Sequence, residues 1–306
     1  MKSILILTLL FISVLGSAQT FEEKITEGDK LYSEGKFEAS AQAFDAAFKL
    51  DEGDRLSYYN AACSWALTGD TINSMKYLNL AADKGWSNVK HVKTDKDLAS
   101  LRDLFGWNDI VAKVQANLDN AEKDLNKPLK EQLEKIYVRD QTLRQLYEHA
   151  EELFGRESEE MNYFWELMAE QDAKNEAEVI AIIDQNGWVG RNEVGGQANL
   201  ALWLVIQHAP IEIQEKYLPL LIESVRKNQS SGNHLALLED RINMRNGKPQ
   251  IYGSQIVSDP ETGEDMVYEV FEPEFVNARR ASVGLGPIEE YIARWNIEWT
   301  VPQKEK

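Results

Sequence analysis

Gln197–Ala209 reads QANLALWLVIQHA, and its middle is apolar on every side. A surface helix shows one apolar stripe, whereas a helix that is apolar all round has to be wrapped by others. The flanking sequence supplies that wrapping. LKEQLEKIYVRDQTLRQLYEHAEELF (129–154), MNYFWELMAEQDAKNEAEVIAIIDQNGW (161–188), IEIQEKYLPLLIESVRK (211–227) and LALLEDRINMR (235–245) all read as helices. Asn175, followed by Glu176 and Glu178, is expected to start a separate helix that Asn186-Gly187 ends. Pro219 is expected to kink or break the third segment. In the last, Leu235, Leu238 and Ile242 face inward.

The buried rod ends in polar groups. Gln207 and His208 close it immediately before Pro210, so their side chains emerge at its carboxyl end. A protonated imidazole gains about 0.3–1 kcal/mol there from the helix dipole. The plain reading is a histidine bonded to the last carbonyls; the functional one is acid–base work or binding, for which an intrinsic pKa near 6.5 suits it. Asp240 and Arg241 are adjacent on one helix and diverge by about 100°, so one of them turns to the core edge and is paired.

Beyond Asn246-Gly247, QIYGSQIV and MVYEVF are β-rich runs separated by SDPETGED, whose Pro260 and Gly263 suit a turn. Gly247–Val257 is therefore expected to be chiefly the first strand of a hairpin. Ile251, Gly253, Gln255 and Val257 would face one way and Gln250, Tyr252 and Ser254 the other. Gly253 would leave a gap for another backbone or a ligand. Arg279 and Arg280 are read first as ion-pair partners of Glu272 or Glu274, with an anion pocket as the functional alternative. Pro287 suits the first turn of a final helix.

The ordered blocks GWVGRNEVGGQANLALWLVIQHA, YLPLL, LALLEDRI, GKPQIYGSQ and NARRASVGLGPIEEY resemble an uncharacterised bacterial domain family, often exported, with QHAD, DRI, GxxQxYGTQ and RRxxxGL blocks. The resemblance covers roughly residues 130–295 and implies no reaction. Pro210 stands where the family often has Asp, which removes a carboxylate beside His208. Ser254 stands for Thr and keeps the hydroxyl.

The first half repeats. Gly28, Leu31, Gly35, Phe37, Phe44 and Ala47 recur 34 positions later as Ala62, Trp65, Gly69, Thr71, Leu78 and Ala81. YSEGKFEASAQAFDAAFKLD resembles a tetratricopeptide repeat, and TGDTINSMKYLNLAAD is a weaker copy. A third, truncated pair draws its apolar positions from Leu98, Leu101, Phe105, Ile110 and Val114. Such stacks present a concave surface to a protein or peptide partner. Pro128, in the charged segment DNAEKDLNKPLKEQLEKI, marks a boundary near 120–130.

MKSILILTLLFISVLGSAQT carries one early cation, a short apolar run and small residues, the pattern of a cleavable signal over residues 1–18, cut after Ala18. The run is shorter than the roughly 20 residues that span a bilayer. The expectation is an exported protein, periplasmic or extracellular, soluble and not membrane-spanning. Cys63 is the sole cysteine, so no internal disulfide forms; its apolar neighbours read it as a buried small hydrophobe. A net charge of −18 disfavours nucleic acid as a partner.

The chain has no nucleophile elbow, phosphate loop, dinucleotide fingerprint or zincin motif. His91, His149, His208 and His234 are scattered, so neither a metal nor a cofactor is expected. The expected architecture is mainly α: a short tetratricopeptide-like solenoid over 21–120, then an α-rich α+β domain over 130–299 with one hairpin near 250–271. The first functional reading is an interaction protein, its repeats holding a partner and its second domain a ligand at Gln207, Arg241, Gln250, Tyr252, Gln255 and Arg280. The alternative is a hydrolase-like cell-envelope enzyme, with His208 as general acid or base and Asp240 orienting it.

Overall fold

The computed structural model describes residues 20–259 and 262–304. The expected signal segment, 1–18, lies outside them. The chain divides between Lys123 and Asp124 into two compact units. The fold is mainly α, with one two-stranded antiparallel sheet among the described residues. No helix among them is long and apolar enough to cross a membrane.

In the first unit α1 (Phe21–Ser33) pairs with α2 (Phe37–Ala47), and α3 (Arg55–Thr68) with α4 (Thr71–Asp83). Reciprocal capping boxes start α1 at Thr20 with Glu23 and α3 at Asp54 with Ser57. Gly35 and Gly69 turn each pair at φ of 73° and 87°, conformations open to glycine at no steric cost.

The 34-residue spacing is also a spacing of bonds. Ser40 Oγ donates to the Gly28 carbonyl at 2.8 Å, and Ser74 Oγ to the Ala62 carbonyl at 2.7 Å, both buried. A Cβ on Gly28 would lie 3.0 Å from the Phe44 ring. The second copy has Ala62 and the smaller Leu78 at the equivalent places.

Helices α5 (Val89–Thr94) and α6 (Trp107–Ala121) complete the unit, with a 3-10 turn at Ala99–Leu101 between them. Leu98, Leu101, Ile110 and Val114 join its core. Phe105, expected among them, is instead fully exposed. It lies in the turn that Gly106 redirects at φ 91°, and Trp107 enters the core behind it.

The second unit is built on α7 (Lys127–Phe154) and α8 (Glu159–Asn186), two 28-residue helices joined by a short turn. Arg139 pairs with Glu178 and Arg144 with Asp172, an order that makes them antiparallel. Asn175 starts no helix. It is wholly buried inside α8, whose cap is Ser158, and its side-chain oxygen accepts from Gln171. Tertiary burial overrides the local preference of Asn for helix ends.

After the short α9 (Arg191–Val194), the apolar rod is α10 (Gly196–His208), packed against α7 and α8. Ala198, Ala201, Leu202, Val205 and Ile206 on it are all buried. Next, α11 (Ile211–Arg226) runs through Pro219 without a break. Pro219 is solvent-exposed, so the carbonyl that its missing N–H leaves free can turn to water.

Helix α12 (Gly232–Arg245) packs on α11. The hairpin that follows is smaller than expected. β1 (Ile256–Ser258) pairs with β2 (Asp265–Val267) in the register Ile256 to Val267, and Gln250 makes one isolated bridge to Val270. Residues 251–255 are a loop, so the face alternation expected there does not occur. Helices α13 (Val276–Ser282) and α14 (Ile288–Ile292) close a small second core around Val276, Ile288 and Ile292.

Candidate functional site

The carboxyl end of α10 delivers His208 beside the middle of α7. His208 Nδ1 lies 3.2 Å from Asp140 Oδ1, and the Asp140 side chain is only 1% exposed. Burial alone pushes this carboxyl up. The hydrogen bond and charge of His208, the Gln141 amide at 2.8 Å and the Arg144 guanidinium outweigh burial and hold it below the ordinary carboxylate range. An ionised Asp140 accepts from Nδ1–H, which fixes the tautomer and leaves Nε2 as the basic nitrogen.

One turn further along α7, Arg144 ties the dyad to α8. Its Nη1 donates to the Asp140 backbone carbonyl at 2.8 Å and its Nη2 to both Asp172 carboxylate oxygens, at 2.9 and 2.7 Å. Arg241 on α12 approaches the same place. Its Nη1 donates to the Gln207 carbonyl at 3.0 Å and its Nε to the Gln255 side-chain oxygen at 3.4 Å. Among the described residues no carboxylate lies within ion-pair distance of it. Burial and the like charge of Arg245 pull its pKa down.

His208, Arg144, Arg241 and Asp172 line one cavity of about 470 Å³, with Tyr147, Trp165, Met168 and Ala169 as its remaining walls. The Tyr147 and Trp165 rings are 5.0 Å apart. The chamber therefore joins a base, an unneutralised cation and an apolar wall.

Only two residues singled out from sequence, His208 and Arg241, line this cavity. The carboxylate on His208 is Asp140, so Asp240 does not orient the imidazole. Asp240 is wholly buried and accepts from the backbone N–H groups of Ile251 at 2.6 Å, Tyr252 at 3.0 Å and Ser254 at 3.0 Å. Burial pushes its carboxyl up, against those backbone bonds.

The other polar groups are struts of the same loop. Gln250 donates to the carbonyls of Gln255 and Tyr268 and accepts from the Gln255 N–H at 2.7 Å. Gln255 donates to Ser254 Oγ. Buried Arg280 donates to the carbonyls of Gly286 at 2.6 Å and Tyr252 at 2.8 Å, rather than pairing with Glu272 or Glu274. Arg279 donates to the carbonyls of Ile251 and Phe271, and its guanidinium is 4.0 Å from Glu272. Tyr252, pushed up to about 12 by burial and then by the charges of Glu239 and Asp240, reaches Glu239 at 3.5 Å. Gln207 is buried and offers Arg241 its backbone oxygen.

Asp140, Arg144 and Asp172 were not legible as site residues. The only signal was the Asp140/Arg144 spacing of four, which charged helices show routinely. The geometry defines an α-helical domain with a His–Asp dyad and two arginines, one of them in no ion pair among the described residues, at an aromatic-walled cavity. The chain belongs to a family of unknown function (DUF6624), whose model matches residues 128–301. No curated protein and no solved structure matches it.

Proposed function

We propose that the domain over 128–301 binds a small organic anion, a carboxylate or phosphate carrying an apolar group, and that His208 exchanges a proton with it. The observation that carries this is Arg241, a partly buried guanidinium with no carboxylate within ion-pair distance among the described residues, lining the same cavity as His208 of the Asp140–His208 dyad. Guanidinium recognises carboxylate and phosphate in fork geometry. Tyr147, Trp165 and Met168 supply the apolar contact.

The test is calorimetric titration of the purified protein with aryl and alkyl carboxylates and phosphomonoesters. Saturable binding is expected, weakened about tenfold or more in Arg241→Met, the loss of one charge-assisted pair. Absence of saturable binding across both series ends the reading.

A second reading, acid–base catalysis of a hydrolytic type, is favoured by the buried carboxylate on Nδ1, which leaves Nε2 to act as general base. Asp140 then takes the orienting role first given to Asp240. Turnover of aryl esters or aryl phosphates that disappears in His208→Gln while ligand affinity persists would support it; equal turnover in both proteins would remove it.

In this reading the signal-like residues 1–18 direct export, and residues 21–120 are tetratricopeptide-like repeats holding a protein or peptide partner. The matched Ser40 and Ser74 bonds at the 34-residue period support the repeat reading. Cross-linking in the cell envelope with each half separately tests it: partners captured only by the second half would end the adaptor role.

A further inference from the structure

The first unit contains a second cluster that neither the repeat reading nor the proposed anion site uses. Cys63 on α3, with Asp95 and Asp97 in the turn after α5, presents one sulfur and two carboxylate oxygens that all lie within 4.8 Å of one another. Some point is then within about 2.8 Å of all three, against metal–ligand bonds of about 2.0–2.3 Å, so an inward shift of about 0.5–0.8 Å per ligand at most closes the set. His91 Nε2 stands 3.4 Å from Asp95 Oδ2 but outside that set of three, and its half-exposed ring has to swing inward to add a fourth ligand.

Three further observations point to a bound cation. First, Asp29, Tyr32, Tyr59, Asn60, Cys63, His91, Asp95 and Asp97 enclose a cavity of about 240 Å³, larger than a bare side-chain hydrogen bond needs. Second, among the described residues no Lys or Arg lies within ion-pair distance of Asp95 or Asp97. Two carboxylates thus share a partly buried space, and the guanidinium beside them, Arg102, bonds the Asp95 backbone carbonyl at 2.6 Å rather than either side chain. Third, Cys63 is 5% exposed yet lines this space, and its hydrogen bond to Asp95 Oδ2 is a long 3.7 Å.

The carboxylates are also fixed by hydrogen bonds, as metal-ligating carboxylates usually are. Tyr59 donates to Asp95 Oδ2 at 2.7 Å, Tyr32 donates to Asp97, and the Asp97 N–H donates to Asp95 Oδ1 at 3.0 Å.

We propose that Cys63, Asp95 and Asp97, with His91 as fourth ligand, bind a divalent zinc-like cation. A thiol with an imidazole selects a borderline-soft ion over Mg²⁺ or Ca²⁺. Binding ionises the Cys63 thiol and releases its proton to solvent, so the filled site carries three negative ligands against two positive charges. The ion also bridges α3 to the segment after α5, fastening the end of the repeat stack.

Co²⁺ titration of the full chain, after dialysis against EDTA, tests this. One equivalent is expected to bind with a near-ultraviolet thiolate-to-Co²⁺ band, displaced by Zn²⁺, and Zn²⁺ should raise the melting temperature. Cys63→Ser should abolish the band, and Asp97→Asn should weaken Zn²⁺ binding about tenfold or more. In the wild-type chain Zn²⁺ should also slow modification of Cys63 by a thiol reagent, a readout that depends on no variant folding. Wild-type protein that shows no thiolate band and no protection by Zn²⁺ overturns the proposal. So does a band of unchanged affinity in Asp97→Asn.

Discussion

Asp140 and Asp240 are both buried acids in the same unit, yet they do opposite things. Asp140 lies against an imidazole and a guanidinium that hold its carboxyl down. Because its folded pKa is below the unfolded value of about 3.9, its contribution to stability is complete above that value and is lost as pH falls through the folded pKa. Asp140→Asn should therefore cost about 1–3 kcal/mol at neutral pH in urea unfolding. The gap to wild type should close as pH falls below about 4. Asp240 instead satisfies backbone donors of three residues. Asp240→Ala strands them, at about 1–3 kcal/mol per buried group, and should be among the most destabilising single changes in the domain. Asp240→Asn, which keeps one acceptor oxygen, should be milder. Anion affinity in Asp240→Asn should stay within about twofold of wild type, since the residue does not line the cavity. A tenfold loss there would put Asp240 back into the site.

At the scale of elements, the loop 251–255 shows how one side chain redirects a segment. QIYGSQIV has the composition of a strand, but Asp240 takes the N–H groups of Ile251, Tyr252 and Ser254 that a ladder would have used. Only Ile256–Ser258 is left to pair. The gap expected at Gly253 is filled by Ile288: a Cβ there would lie 2.5 Å from its Cδ1, and φ is +68°. Gly253→Ala should cost about 2–4 kcal/mol, combining left-handed strain with overpacking. Thermal unfolding measures this, and faster amide exchange over 250–258 should accompany it. The helices were far more legible than this loop, because periodic apolar spacing over many residues outweighs single local signals. Asn175 inside α8 and Pro219 inside α11 are such signals, the first overridden by burial and the second harmless because it faces water.

The whole molecule has separate cores, one built on Phe44, Tyr58 and Leu78 and another on Leu133, Ile183, Leu202 and Ile206. Every residue of the proposed anion site falls after Asp124 and every ligand of the proposed cation site before it. A fragment over 124–306 should therefore fold cooperatively and bind the anion with the affinity of the full chain. Calorimetry of that fragment checks this; a broad, non-cooperative transition would contradict it. The sequence by itself determined the helical character, the 34-residue period and the burial of the middle of the rod at Ala198, Ala201, Leu202, Val205 and Ile206, because each is written in a pattern over many residues. It also placed His208 at the mouth of the rod. Only tertiary structure decided that Asp140, 68 positions earlier, would be its partner. It likewise decided that Asp240 would serve the backbone and that Cys63 would face two aspartates. A residue's partner across space is set by how helices pack, and neither its own spacing nor its neighbours in the chain record that choice.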